Sequence, residues 1–125
     1  MLVTGRFGTR DLARAKSFYD PIAAMLGAKR IEDKPTVASY RGPQGGMFSI
    51  GAPFEGEAAV GNGAQMGFLA PSRDVVDAVH AKALELGGTC EGPPGVRGGD
   101  PNGLYAAYFR DLDGNKLMVL RREPA

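Results

Sequence analysis

The imidazole and thiol groups that often serve as general base and nucleophile are scarce in this 125-residue chain. It contains one histidine, His80, and one cysteine, Cys90. His80 falls in a predicted helix, where we expect a surface or half-packed side chain, and we expect Cys90 to be a partly buried small residue. Residues so placed predict neither a Ser-His-Asp nor a Cys-His catalytic arrangement. The lone cysteine also excludes an intrachain disulfide and a cysteine-ligated zinc cluster.

The segment 108–120, YFRDLDGNKLMVL, has the pattern of two strands joined by a tight turn. Its Asp113-Gly114 pair is a turn signal because glycine readily adopts positive φ. If residues 111–115 form the loop, Tyr108 lies opposite Met118, and cross-strand partners share one face of a sheet. We expect Asp111 and Asp113 to bond amides of the turn and not a substrate.

Other side chains point to a binding pocket. Alternation along the first predicted strand places Thr4 and Arg6 on one side, and Gln65 and Leu69 share the matching side of the fifth strand. An unpaired buried guanidinium is costly, so Arg6 either reaches solvent or pairs with an anion. Tyr108 either contacts a ligand or is a core aromatic with its hydroxyl at the rim. The candidate ligand-binding residues are Thr4, Arg6, Tyr40, Phe48, Gln65, Leu69, Tyr108 and Met118.

These candidate residues lie on two halves of the chain that have the same order of predicted strands and helices. In the first half, a strand leads to Asp11, the expected N-cap of a helix that Pro21 should kink or break and that Gly27 ends. In the second half, a strand leads to Ser72 and a helix over 73–86, followed by a strand around 89–90, a loop over 92–103 and the final hairpin. Thr4 and Gln65, like Asp11 and Ser72, are 61 positions apart.

This internal repeat predicts an α+β fold. Two βαβββ modules, about 1–53 and 63–122, should form a cupped, largely antiparallel sheet with helices on the outer face. The chain of 125 residues is expected to be one domain, 1–125, with the two open sheet faces curving around a cleft.

Amino-acid composition and charge argue against some classes of partner. With 43% hydrophobic and 23% charged residues the chain has the profile of a soluble globular protein. Its net charge of +1 is spread along the chain, so we expect no nucleic-acid partner. No apolar run approaches the roughly 20 residues that span a bilayer, and no signal peptide is evident, so we expect no membrane partner and a cytoplasmic location.

Three segments, TRDLARAKSFYDPIAAMLGAKRI (9–31), GAQMGFLAPSRDVVDAVHAKALELGG (63–88) and YAAYFRDLDGNKLMVL (105–120), resemble the vicinal oxygen chelate superfamily. That superfamily includes glyoxalase I, fosfomycin-resistance proteins, extradiol dioxygenases and bleomycin-resistance proteins. The resemblance implies the same repeated-module fold and a homodimer. It also implies that Tyr108 stands where extradiol dioxygenases have an active-site tyrosine.

In metal-dependent members, the resemblance implies ligands at three positions, which are Thr4, Gln65 and Met118 here. Hard divalent ions prefer carboxylate, imidazole or carbonyl ligands, whereas a thioether is soft and neutral. We therefore expect no metal and no other cofactor.

Two function classes remain. The favoured one is a metal-free protein of the bleomycin-resistance type that binds a small, anionic or aromatic molecule in its cleft. The alternative is a glyoxalase- or dioxygenase-type enzyme, a lyase or oxidoreductase, that uses either a non-standard site for a divalent metal or a metal-free site. No residue is assigned a catalytic role.

Overall fold

A strand, a helix and three strands occur twice along the chain. The computed structural model describes residues 1–122, apart from the side chain at position 32. Its elements are β1 (Thr4–Gly8), α1 (Leu12–Met25), β2 (Lys29–Lys34), β3 (Val37–Arg41), β4 (Met47–Gly51), β5 (Met66–Leu69), α2 (Arg73–Glu85), β6 (Thr89–Val96), β7 (Tyr105–Arg110) and β8 (Lys116–Arg121). This is the α+β, cupped-sheet architecture that the sequence predicts.

Each repeat contributes a four-stranded sheet, in the orders β1-β4-β3-β2 and β5-β8-β7-β6. The pairs β1–β4 and β5–β8 are parallel and the remaining pairs are antiparallel. The predicted register of the last hairpin is confirmed, because Tyr108 pairs with Met118 and Gly114 has a φ of 92°. Strand β6 is longer than predicted and runs through Pro93 and Pro94. An edge strand tolerates proline because the N–H groups on its outer side form no hydrogen bond within the sheet, so none is lost where proline has no N–H.

Both helices begin at the predicted caps. The side chain of Asp11 accepts a hydrogen bond from the amide of Arg14, and that of Ser72 accepts one from Val75. Helix α1 continues through Pro21 to Met25, and the burial of Ile22 stabilises the turn after the proline. Within residues 1–122, neither helix has the length and apolar character needed to cross a bilayer.

The helix-covered faces of the two sheets share one hydrophobic core. Phe18 of α1 packs on Phe109 of the second sheet, with ring centroids 6.3 Å apart. Phe48 of β4 packs on Phe68 of β5, with centroids 5.1 Å apart. The opposite, or open, face of the first sheet carries Arg6, and that of the second sheet carries residues such as Tyr108. The core therefore joins the two repeats and leaves each sheet one uncovered face.

A buried polar cluster, here called the turn clamp, joins the β7–β8 turn to the start of the chain. Asp111 accepts bonds from the amides of Asp113 and Asn115, as predicted for a turn carboxylate. It also accepts the Tyr19 hydroxyl at 2.5 Å, while Asp113 accepts the Thr9 hydroxyl and Asn115 donates to the carbonyl of residue 8. The aspartates therefore link the two repeats as well as closing the turn.

The turn clamp makes stability sensitive to alkaline pH. Burial, followed by the negative charge of Asp111, raises the pKa of Tyr19 well above its usual value of 10.0. Above pH 10.0, Tyr19 ionises in the unfolded chain but stays protonated in the folded protein. The free energy of unfolding should therefore fall by up to about 1.4 kcal/mol per pH unit. Tyr19→Phe should remove this component of the slope in urea titrations, whereas parallel pH profiles for the two proteins would contradict the assignment.

Candidate functional site

The open face of the second sheet centres on Tyr108. Its ring lies beside two cations: the guanidinium carbon of Arg97 is 5.5 Å from the ring centroid, and the Lys116 ammonium is 5.3 Å from it. Both distances fall within the range of cation–π attraction. Tyr108 is part-exposed, so this cluster is accessible from solvent.

Arg97 is held in place by the backbone of β6. Its guanidinium donates to the carbonyl oxygens of Gly95 at 3.0 Å and Pro93 at 2.6 Å. A Cβ on Gly92 would lie 3.1 Å from the Tyr108 ring and 3.3 Å from the guanidinium, so glycine keeps the space between strand and ring open. Arg97 is not among the residues that the sequence predicts for the site, because the two prolines before it indicate a loop instead of an edge strand.

A polar groove borders this cluster. It has a volume of about 420 Å³ and is lined by residues 60–65 with Arg110 and Lys116. Arg110 pairs with Glu91 at 2.5 Å, and this hydrogen bond and charge lower the pKa of the Glu91 carboxyl. Among the residues that the structure describes, no carboxylate forms an ion pair with Arg97 or Lys116. Positive charge therefore prevails around Tyr108.

Two of the three predicted metal-ligand positions lie side by side. The Gln65 amide nitrogen lies 3.8 Å from the sulfur of Met118, to which it donates a weak hydrogen bond. With Thr4 of β1, these positions offer an amide, a thioether and a hydroxyl, and none of them carries a negative charge. Residues 1–122 contain no group of three or more His, Cys, Asp or Glu side chains arranged to hold a metal ion. The side chains present do not fit a hard divalent cation.

Arg6 lies on the open face of the first sheet, opposite Ser49. One of its guanidinium nitrogens donates to the carbonyl oxygen of Ala52 at 2.6 Å, and the side chain is exposed. Arg6 therefore holds the start of the 52–65 segment that connects the repeats. Contact with an anionic ligand stays a prediction.

Five predicted site residues line a separate cavity of about 520 Å³, here called the helix-side cavity, and they are Thr4, Tyr40, Phe48, Gln65 and Leu69. Tyr40 and Phe48 pair with each other across β3 and β4 and are only 4% and 8% exposed. Alternation places them on the helix-covered face, opposite to Arg6. The structure therefore does not bring Tyr40 and Phe48 together with Tyr108 and Met118.

His80 and Cys90, for which we predict no catalytic arrangement, lie side by side. The Nε2 atom of His80 lies 3.3 Å from the Cys90 sulfur, because the short connection after α2 returns β6 along that helix. His80 is buried and Cys90 exposed, the reverse of what we expect from sequence. Burial lowers the pKa of His80, which favours the neutral imidazole. Both residues lie outside the groove and the helix-side cavity.

Comparisons with known proteins agree with this architecture. The family model of the Glyoxalase/Bleomycin resistance protein/Dioxygenase superfamily matches residues 4–119. A solved glyoxalase/bleomycin resistance protein from Albidiferax ferrireducens T118 is 40% identical, with 98% of each chain covered and a TM-score of 0.87. A comparison with curated proteins finds no match.

More distant structures share the fold. A glyoxalase/bleomycin resistance protein/dioxygenase family enzyme from Burkholderia phytofirmans PsJN is 17% identical, with 94% of this chain and 95% of that chain covered and a TM-score of 0.68. A glyoxalase-related enzyme from Fulvimarina pelagi is 16% identical, with 96% and 86% covered and a TM-score of 0.71. From its family model, its 40% identical relative and its repeated modules, this chain belongs to the glyoxalase/bleomycin resistance protein/dioxygenase superfamily.

Proposed function

We propose that this protein binds a small anionic aromatic molecule, without a metal, on the open face of the second sheet. The observation that carries the proposal is the pair of cations, Arg97 and Lys116, beside the part-exposed ring of Tyr108. Beside them, Gln65 and Met118 offer neutral groups at positions where metal-dependent relatives are expected to have charged or imidazole ligands. The site therefore suits an anion better than a divalent cation.

Each part of the site has a role in this proposal. An aromatic ring of the ligand packs over the neighbouring side chains of Tyr108 and Met118, because aromatic rings attract one another and a thioether is polarizable and flexible. A carboxylate on the ligand accepts charge-assisted hydrogen bonds from Arg97 and Lys116. Glu91 forms its ion pair with Arg110 and not with Arg97. We propose that the protein binds this ligand in the cytoplasm.

We also propose that the protein is a homodimer. The outer strands of the two sheets leave unpaired edges, β1 and β2 in one sheet and β5 and β6 in the other. Leu2 and Val3 beside β1 are 80% and 69% exposed, and Phe54 in the connecting segment is fully exposed. A second copy would cover such apolar groups. Sedimentation velocity at micromolar concentration should give a two-chain species, and a monomer would contradict this.

Calorimetric titration with 2-naphthoate tests the binding proposal. Loss of one charge-assisted hydrogen bond costs on the order of 1.5–3 kcal/mol, so Arg97→Met and Lys116→Met should each weaken binding about tenfold or more. Lys82→Met is the matched control, because Lys82 is a cation on α2 that pairs with Glu85. The uncharged analogue 2-naphthamide should bind more weakly to the wild-type protein. Equal affinities for all three variants, or for both probes, would refute the proposed site.

A further inference from the structure

The helix-side cavity shares only Gln65 with the polar groove beside Tyr108. The second half of α1, the β3–β4 hairpin and β5 surround it, and its volume is about 520 Å³. Protein interiors leave few voids larger than a water molecule, whereas ligand pockets commonly measure about 300–1,000 Å³. This volume is that of a pocket and not of a packing defect.

Aromatic rings form much of the cavity wall. The ring centroid of Phe48 lies 4.9 Å from that of Tyr19 and 5.1 Å from that of Phe68, and the Tyr19 and Tyr40 centroids are 6.5 Å apart. The aliphatic side chain of Ile22 completes this wall. Such a surface favours a flat apolar molecule that can stack on or meet the ring edges.

The hydroxyl groups of the two wall tyrosines already have partners. The hydroxyl of Tyr19 donates to Asp111, and that of Tyr40 donates to Asp20 at 2.6 Å. Arg121, which also borders the cavity, has an interaction partner within the protein. The deep part of the cavity thus presents rings and methyl groups, so a charged ligand there would lose its hydration without compensation.

We propose that the helix-side cavity is a second binding site, for an uncharged aromatic molecule of one or two rings. Of its wall residues, Ile22 is 1% exposed, Tyr19 2% and Tyr40 4%. Leu2, Val3 and Leu69, which are 80%, 69% and 46% exposed, line the cavity as well, so it opens to solvent in the single chain. Arg97, Tyr108 and Lys116 do not line this cavity, so binding here does not depend on the charges of the proposed anion site.

Fluorescence titration with the uncharged probe N-phenyl-1-naphthylamine tests this site. Ala23 lines the cavity and is 9% exposed, whereas its neighbour Ala24 is exposed and does not line it. Ala23→Leu fills part of the cavity and should weaken probe binding at least about tenfold, while Ala24→Leu should leave it unchanged. An excess of 2-naphthoate should not displace the probe. Equal binding by both variants, or displacement by 2-naphthoate, would overturn the proposal.

A measurement on the wild-type protein keeps the test independent of folding in the variants. On addition of the probe, NMR should show shifts and probe contacts at the methyl groups of Ile22 and Met66, which line the cavity. The methyl group of Met118, which lies on the open face, should not change. Shifts confined to Met118 would overturn the proposal. Absence of probe binding together with a changed oligomeric state of Ala23→Leu would also overturn the proposal. In that case the cavity would be part of a contact between two copies of the chain.

Discussion

Asp111→Ala should lower the free energy of unfolding by about 4 kcal/mol, the largest effect we expect from a single substitution in this protein. Asp111 is 5% exposed, and its side chain accepts bonds from the Tyr19 hydroxyl, the Asn115 side chain and two turn amides. Its removal would leave these buried donors unsatisfied, at about 1–3 kcal/mol each before relaxation and water entry. Urea unfolding of the purified variants measures the loss.

Asp100 provides a matched control for this substitution. It is an exposed turn aspartate whose side chain accepts one bond from the amide of Asn102. Asp100→Ala should therefore cost less than about 1 kcal/mol. Tyr19→Phe, which removes one donor of the turn clamp, should fall between the two variants. Equal losses for Asp111→Ala and Asp100→Ala would mean that the turn clamp does not stabilise the contact between the repeats.

Gly88→Ala should destabilise the protein by about 3 kcal/mol, because the new methyl group has no space. A Cβ at position 88 would lie 2.6 Å from the carbonyl oxygen of Arg110, 2.9 Å from that of Ala83 and 3.2 Å from the Phe18 ring. The first two are backbone atoms of β7 and α2, which cannot move without disturbing a strand or a helix. Thermal or urea unfolding gives the difference from the wild-type protein.

The control for this prediction is Gly99→Ala. A Cβ on Gly99 would meet no atom within 4 Å. This substitution should change the free energy of unfolding by no more than about 0.5 kcal/mol. If Gly88→Ala is equally neutral, the packing of the two repeats around residue 88 differs from that described above.

Local signals in the sequence predicted most of the fold. The offset of 61 positions between Asp11 and Ser72 marks two helix starts, and both side chains accept the expected capping bonds. Alternation and the Asp113-Gly114 turn fixed the pairing of Tyr108 with Met118. These features depend on residues close together in the chain, so periodicity and turn chemistry are enough to find them.

The candidate site was less predictable because it depends on contacts between distant segments. Arg97 reaches Tyr108 only because β6 continues through Pro93 and Pro94, although two successive prolines usually indicate a loop. The meeting of His80 with Cys90 depends on the packing of β6 beside α2, which no local pattern reveals. Alternation within single strands could not show that a helix covers the face of the first sheet that carries Tyr40, and not the face that carries Arg6.

The central claim is that the Tyr108 site binds an anionic aromatic molecule without a metal, and one titration tests it most directly. The affinity of the wild-type protein for 2-naphthoate is measured as purified without chelator, after exhaustive dialysis against EDTA, and after addition of zinc. We predict the same dissociation constant in all three conditions, because Arg97 and Lys116 supply the positive charge. Binding that disappears on chelation and returns with zinc would contradict the account.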